Sequence, residues 1–342
     1  MKKTSLLLTL GISLVLLATA LIAQTYEVKV LPCPEADQTY AWAINDVGQI
    51  VGFNINKPPY SNYDVLRWDS SDSFILIVNP QGWSYKSAYS INNLGWIAGH
   101  CQENIGDYTQ GLVWDIYGNY RILSKPESWK DASSFAINDF DQVSGRIDDA
   151  AGYAHTVLWD NAGHHILNHA GWENSWPLDI NNLGQIAGRV WNRSGSVEEH
   201  HAAIWNSDGT FVDVHPHGFT YSLARSINDF GEVLLWAWGR SKSCALVRDI
   251  NGRYRKLRVP SRWEQEGPGS INNNGQVLMR AISKPYRFEI YLVDRDGKCI
   301  ILPRPEGWGD IWGDGLNNYG EIVAVGHDPS GKVRPLYWKP TD

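Results

Sequence analysis

The feature that most constrains this chain is a phrase it spells seven times. It reads INDVGQI from Ile44, INNLGWI from Ile91, INDFDQV from Ile137 and INNLGQI from Ile180. It returns as INDFGEV from Ile227, INNNGQV from Ile271 and LNNYGEI from Leu316. The steps between starts are 47, 46, 43, 47, 44 and 45 residues. A period of that length marks an array of supersecondary units. A second landmark lies 21 to 25 residues after each start, where Trp68, Trp114, Trp159, Trp205 and Trp338 end an apolar run. Arg248 and Val293 hold that place in units five and six.

Each unit reads as four short strands: one leading into the Asn, a second such as GQIVG, a third ending at the Trp, and a fourth such as YRIL. The 17 Trp, 16 Tyr and 32 Gly against 2 Met suit an all-β chain. One four-stranded sheet cannot bury both faces alone, but neighbours packed in a ring can. The expected fold is therefore all-β, a seven-bladed β-propeller of four-stranded antiparallel blades. The ends agree with a ring. Unit seven stops after its third strand, at RPLYWKPTD, while TYEVKVLP at the start matches NYRILSKP and has nothing before it to pair with. The N-terminal strand is thus expected to complete the last blade and cover two open sheet edges. Residues 24–37 form this closing segment and residues 38–342 the seven repeats, one domain spanning 24–342.

Residues 1–23 stand apart. Lys2 and Lys3 precede an uncharged apolar run from Leu6 to Ile22, and Ala18-Thr19-Ala20 and Leu21-Ile22-Ala23 both offer cleavage sites. This is the layout of a secretory signal peptide, and the run is also close to the length of a membrane anchor. The expected location is secreted, extracellular or periplasmic, with no membrane contact after cleavage. Setting aside those two lysines leaves 28 basic against 37 acidic residues, so nothing draws nucleic acid to the chain. Cys33, Cys101, Cys244 and Cys299 are widely spaced and contain no CxxC. They form neither a zinc site nor a disulfide framework.

The Asn-Asp in the phrase admits two readings. Calcium binding would need more alternating oxygens than NDxG offers. A type I turn followed by a left-handed Gly suits the short loop between two apolar runs, and Asn and Asp side chains bond back to such turns. The phrase is architecture, with Asp141 replacing the Gly in unit three.

Function is then expected where the units differ, on the face carrying the variable loops between second and third strands. An aromatic stands eight residues before each start from unit two onward: Trp83, Trp129, Trp172, Phe219, Trp263 and Trp308. Its fixed register reads as packing between blades. Irregular aromatics are the better ligand candidates: Tyr85, Trp176, Trp191, Trp236, Trp238, Tyr286 and Trp312. Nine residues after the start stand Arg146, Arg189 and Arg280, which can converge on an anion or form ion pairs between blades with acids such as Asp148. Eight histidines fall in units three and four, but no carboxylate or Cys completes a metal-ligand set. No metal or cofactor is expected. GxSxG, HExxH and P-loop motifs are absent, and no catalytic residue is assigned. Acid pairs such as Asp310 with Asp314, or Glu264 with Glu266, are the material for a glycosidase alternative.

The phrase INDVGQIVG, with HAAIW at His201 and HTVLW at His155, resembles the HAF repeat family of extracellular repeat proteins. The hairpin part covers all seven units. The histidine is confined to units three and four, and Asp64, Gln110, Cys244, Glu289 and Arg334 replace it elsewhere. The resemblance implies an exported repeat protein and carries no catalytic residues. The reading is an exported, monomeric binding module whose partner is a carbohydrate or a surface protein. The alternatives are a glycoside hydrolase or lyase on the same scaffold, and a structural surface module with no small ligand.

Overall fold

The computed structural model describes residues 24–36, 38–55, 63–77, 82–83, 85–102, 108–193, 199–240, 243–261, 263–284 and 286–341. Among them every regular element is a β-strand. In chain order these are β1 (Thr25–Val30), β2 (Gln38–Ile44), β3 (Ile50–Ile55), β4 (Tyr63–Ser70), β5 (Ser73–Leu76), β6 (Tyr85–Ile91), β7 (Ile97–Gln102), β8 (Gln110–Trp114) and β9 (Tyr120–Ile122). Then come β10 (Ala132–Ile137), β11 (Val143–Asp148), β12 (Ala154–Asp160), β13 (Gly163–Ile166), β14 (Asn174–Ile180), β15 (Ile186–Asn192), β16 (Glu199–Trp205), β17 (Phe211–Asp213), β18 (Tyr221–Ile227) and β19 (Val233–Trp238). The last are β20 (Ser243–Arg248), β21 (Tyr254–Lys256), β22 (Glu264–Ile271), β23 (Val277–Ser283), β24 (Arg287–Val293), β25 (Cys299–Ile301), β26 (Ile311–Leu316), β27 (Ile322–His327) and β28 (Val333–Thr341).

They form five sheets, two of eight strands and three of four. Each larger sheet is two antiparallel groups joined by a single parallel contact, Gln38 to Val333 or His200 to Tyr221. Antiparallel pairing thus proceeds in fours: β2–β5, β6–β9, β10–β13, β14–β17, β18–β21 and β22–β25. The seventh group is β26–β28 with β1, which lies antiparallel to β28 from Thr25–Thr341 to Val30–Leu336. The first strand of the chain therefore lies beside the last.

The repeated phrase builds the hairpin between the first two strands of each group. Asn45 N–H donates to the Gln49 carbonyl and Gly48 N–H to the Asn45 carbonyl, a pattern repeated in all seven units. Gly48 has φ +82° and Asp141, its one substitute, φ +60°. This is a type I turn closed by a left-handed residue, which Gly adopts without strain and Asp tolerates.

The same Asn side chains tie neighbouring turns together. Asn45 Nδ2 donates to the Asn92 carbonyl, Asn92 to Asn138, and so on until Asn317 donates to Asn45, each at 2.8–3.1 Å. The next residue makes a second circuit. Asn93 Oδ1 accepts the Asp46 N–H, Asp139 Oδ1 the Asn93 N–H, and so round to Asp46 Oδ1, which accepts the Asn318 N–H, all at 2.7–2.9 Å. The Asn amides in this circuit also donate to neighbouring carboxylates: Asn182 Nδ2 reaches Asp139 at 3.0 Å and Asp229 at 3.2 Å. The order Asp46, Asn93, Asp139, Asn182, Asp229, Asn273, Asn318 alternates acid and amide. Seven is odd, so one amide–amide neighbour pair remains, at Asn273 and Asn318.

Apolar burial lies between groups. Seven clusters of buried side chains each join two consecutive groups, and one joins Val323 and Tyr337 of the seventh to Ile50 and Trp68 of the first. The third-strand tryptophans are fully buried there. Four of the five give the indole N–H a partner, as buried tryptophans usually do, and Trp114 has none among the described residues. Trp68 donates to the Pro32 carbonyl at 2.6 Å, Trp159 to Ser124, Trp205 to Asn168 and Trp338 to Pro303. In unit six, which lacks the Trp, the Tyr291 hydroxyl donates to the Arg258 carbonyl at the matching place. The regular aromatics Trp83, Trp129, Trp172, Phe219, Trp263 and Trp308 pack on the same clusters, as their fixed register leads one to expect.

Candidate functional site

The first strand of each group departs from regular pairing at one place. In groups one to five the ladder skips the residue two before the hairpin Ile: Trp42, Tyr89, Phe135, Leu178 and Arg225. In groups six and seven the irregularity spans Gly269-Ser270 and Gly313-Asp314. A bulge frees a side chain from the pleat and re-aims it. All seven residues two before the start, from Trp42 to Asp314, line one cavity of about 680 Å³.

The wall of that cavity is divided. Along groups one to four it is aromatic: Trp42 meets Tyr89 edge-on at 6.0 Å, Tyr89 lies 6.1 Å from Phe135, and Phe135 stacks on Trp176 at 5.5 Å. Guanidinium groups cover the end of this arc, Arg146 lying 4.6 Å from the Trp176 ring and Arg189 5.5 Å from it. Along groups five to seven the wall is charged. Arg225 Nη2 donates to Asp314 Oδ2 at 2.6 Å, Arg280 lies 3.9 Å from Asp314 Oδ1, and Arg280 Nε stands 3.4 Å from Glu266. Arg225 belongs to group five and Asp314 to group seven, so their contact crosses group six. Gly269 makes this possible, because a Cβ there would sit 3.2 Å from Asp314 Oδ1.

Burial raises the Asp314 carboxyl pKa, but the Arg225 and Arg280 guanidinium groups outweigh it and hold the group below the usual carboxylate range. Asp314 is thus a fixed anion, not a proton donor. Asp179 differs: burial carries its pKa above that range despite three donors, the Ser226 hydroxyl and the N–H groups of Ile227 and Ile180. It braces group four against group five, as the Ser90 hydroxyl braces group two by accepting from Ile137 N–H. Two atoms in the charged wall, Asp314 Oδ1 and Arg280 Nε, are buried without a hydrogen-bond partner. Such groups are costly to leave unmet.

The cavity brings together four of the ligand candidates singled out from sequence, Trp176, Arg189, Trp236 and Arg280, with one member of each acid pair, Glu266 and Asp314. Arg146 touches its edge through Trp176 and is ion-paired with Asp148 on its own strand. The expected set of three arginines is therefore partly engaged, with Arg280 beside two carboxylates and Arg189 against Trp176 and Trp191. Trp191 is buried and stacks on His200 at 6.0 Å. Trp238 stacks on Tyr221 at 5.5 Å, and Trp312 packs on His327 at 5.0 Å, both outside the cavity wall. Tyr286 is exposed on a turn at φ +72°, also away from the cavity. Tyr85 lies on β6, but its side chain falls outside the described residues.

Sequence reasoning passed over Trp42, Tyr89, Phe135 and Arg225, and it weighed Glu266 and Asp314 only as members of acid pairs. The available signal was the position two before each start, where seven units carry seven different residue types just ahead of the repeated phrase.

Four of the eight histidines of units three and four form two matched pairs away from the cavity wall. His155 Nδ1 lies 3.2 Å from His169 Nε2, and His201 stacks on His215 at 4.0 Å. Asp149 and Asp213 contact the first member of each pair. Among the described residues no group of three or more His, Cys, Asp or Glu could hold a metal ion.

No family model matches the sequence, and no curated protein matches it. Solved structures do resemble it. The β-propeller domain of the trilobed protease from Pyrococcus furiosus superposes with a TM-score of 0.62 at 11% identity, covering 89% of this chain and 98% of that one. A streptogramin B lyase gives 0.56 at 10% identity, covering 92% and 98%. The BP39L lectin from Burkholderia pseudomallei gives 0.55 at 11% identity, covering 89% and 96%. At such identities the likeness speaks for fold alone: the chain has a β-propeller scaffold.

Proposed function

We propose that the chain is an exported, seven-bladed β-propeller that binds a carbohydrate in its central cavity. The observation that carries the ligand class is the divided wall: an aromatic arc faces a charged arc of Arg225, Arg280, Glu266 and Asp314. A sugar ring presents an apolar C–H face that stacks on aromatic rings. It also carries hydroxyls that donate to a carboxylate and accept from a guanidinium. The part-exposed Glu266 carboxylate and Arg280 guanidinium would receive one hydroxyl each, and Trp176 and Phe135 the ring face. Two features support the blade count, namely the pairing in seven fours and the circuit of turns from Asn45 through Asn317 and back. The HAF-repeat resemblance and the apolar N-terminal run support export. A lectin among similar folds makes sugar binding compatible with the scaffold, without assigning it.

The test is tryptophan emission of the purified protein titrated with neutral and acidic oligosaccharides. The reading expects a saturable change with one glycan class that disappears in both Trp176→Ala and Arg280→Ala. If no glycan changes the emission, or if both variants retain the change, the cavity is not a sugar site.

A further inference from the structure

The hairpin turns hold one position that neither circuit of hydrogen bonds uses, the residue between the Asn-Asp or Asn-Asn pair and the Gly. This place in a type I turn favours small polar residues. Here it holds Val47, Leu94, Phe140, Leu183, Phe230, Asn274 and Tyr319. The six apolar or aromatic ones are 56% to 69% exposed. Single exposed apolar residues need no explanation. Six at one register are different, because the turns are bonded side to side into a circuit and so hold these side chains at one level. They make an apolar crown on the hairpin face, with Tyr117 and Ile250 exposed on neighbouring turns.

The chain enters at this same face. Thr25 pairs with Thr341 at the hairpin end of β28. Gln24 Oε1 accepts from Gln276 Nε2 at 3.4 Å, beside the sixth turn, and a Cβ on Gly320 of the seventh would lie 3.5 Å from Gln24 Nε2. The apolar run Leu6–Ile22 ends one residue earlier, with only Ala23 between. One residue spans about 3.5 Å, so a bilayer that takes up this run cannot stand far from the crown. The charged groups around the crown favour no anionic surface. Arg121 is paired with Asp141, Arg295 with Glu232 at 2.8 Å and Arg67 with Asp69 at 2.9 Å, and the ring carboxylates accept from Asn amides.

We infer that the hairpin face is a membrane-contacting surface. In the chain that keeps its first 23 residues, Leu6–Ile22 enters a zwitterionic bilayer and the crown rests in its interfacial layer. The sugar-binding cavity proposed above plays no part in this inference. An apolar face set beside an apolar tether removes both from water together.

The test places an environment-sensitive fluorophore on the full chain in phosphatidylcholine vesicles. Labels go on Phe140→Cys, Phe230→Cys and Leu183→Cys in the crown and on Tyr286→Cys at the opposite end of its sheet. The half-buried Cys33 and Cys299 are first changed to Ala, leaving Cys101 and Cys244 buried. The expected result is a blue shift at the three crown sites, with loss of emission when the acyl chains carry bromine, and neither effect at position 286. Crown labels that remain as water-exposed as the label at 286 overturn the inference. So does a shift already present in dilute detergent without vesicles that grows with protein concentration, which would assign the crown to a second copy of the chain.

Discussion

The alternation of acid and amide in the turn circuit makes a quantitative prediction. In Asn182→Asp the shape is kept, but Nδ2, which donates to Asp139 at 3.0 Å and Asp229 at 3.2 Å, becomes a carboxylate oxygen. Two hydrogen bonds to charged acceptors are lost, and three carboxylates stand in a row. At about 3 Å and an effective dielectric near 20, each new repulsion is on the order of 5 kcal/mol. The chain does not bear that in full, because one carboxyl can take a proton. At pH 7 protonating a group of ordinary value near 4 costs about 1.4 kcal/mol for each of about three pH units, or about 4 kcal/mol. This sets the ceiling. The expected destabilisation is therefore about 3–4 kcal/mol at neutral pH, a fall in Tm of roughly 10 °C for a domain of this size.

The sign of its pH dependence follows. The shared carboxyl has a folded pKa raised above its unfolded value, so the folded form binds the extra proton. The repulsive part of the deficit is absent below about pH 4 and grows as pH rises towards the folded value. Asn273→Asp provides the comparison, since its side chain donates to one carboxylate only, Asp229 at 2.8 Å, while its other neighbour is Asn318. Its single repulsion meets the same ceiling, so it should lose less only by the second hydrogen bond to a carboxylate, about 1.5 kcal/mol. Urea unfolding of both variants at pH 5 and pH 7 reads the difference. Equal losses in the two variants, or a loss at Asn182→Asp that does not change with pH, would refute the claim that alternating charge holds the turns together.

Two further predictions concern the cavity wall and the layer behind it. Arg225→Ala leaves the buried Asp314 facing Arg280 alone at 3.9 Å and should cost about 2–3 kcal/mol at pH 7. Because Asp314 is held below its ordinary value, the stability it brings is present above about pH 4 and lost as pH falls further. The deficit of the variant should shrink in urea unfolding at about pH 3. His100 sits against Tyr89 at 5.1 Å, and burial lowers its imidazole pKa to about 4. Its unfolded form takes up a proton near pH 6.5 that the folded form refuses, so the parent should lose about 3 kcal/mol between about pH 6.5 and pH 4. His100→Phe should flatten that decline, and an unchanged pH profile would count against the assignment.

Much of this architecture was legible in the chain because its signals are local. The turn follows from Asn, Gly and two apolar runs, down to the left-handed Asp141 in unit three. Pairing of the N-terminal strand with β28 followed from a strand missing in the last unit and a spare strand ahead of the first. The seams between groups were readable from a Trp at fixed register. The turn circuit was only half visible. The order Asp, Asn, Asp, Asn, Asp, Asn, Asn stands in the sequence, but its meaning depends on side chains about 45 positions apart becoming neighbours.

The cavity wall was missed for a physical reason. Counting by twos along β2 would align Trp42 with the regular pleat, whereas the ladder skips it and the bulge turns it inward. Periodicity reports what a strand does when it is regular, so it fails where a bulge re-aims one residue. In a repeat protein this failure is itself informative. The Ile, Asn and Gly of each unit serve the hairpin and its neighbours, and they recur because the scaffold needs them. The bulged residue serves neither, and it is Trp, Tyr, Phe, Leu, Arg, Gly and Asp in turn. A position flanked by mostly small residues and set just ahead of the repeated phrase, yet itself different in every unit, answers to something other than the scaffold. Here all seven such positions face one enclosed space, and that convergence, more than any single residue, locates the site.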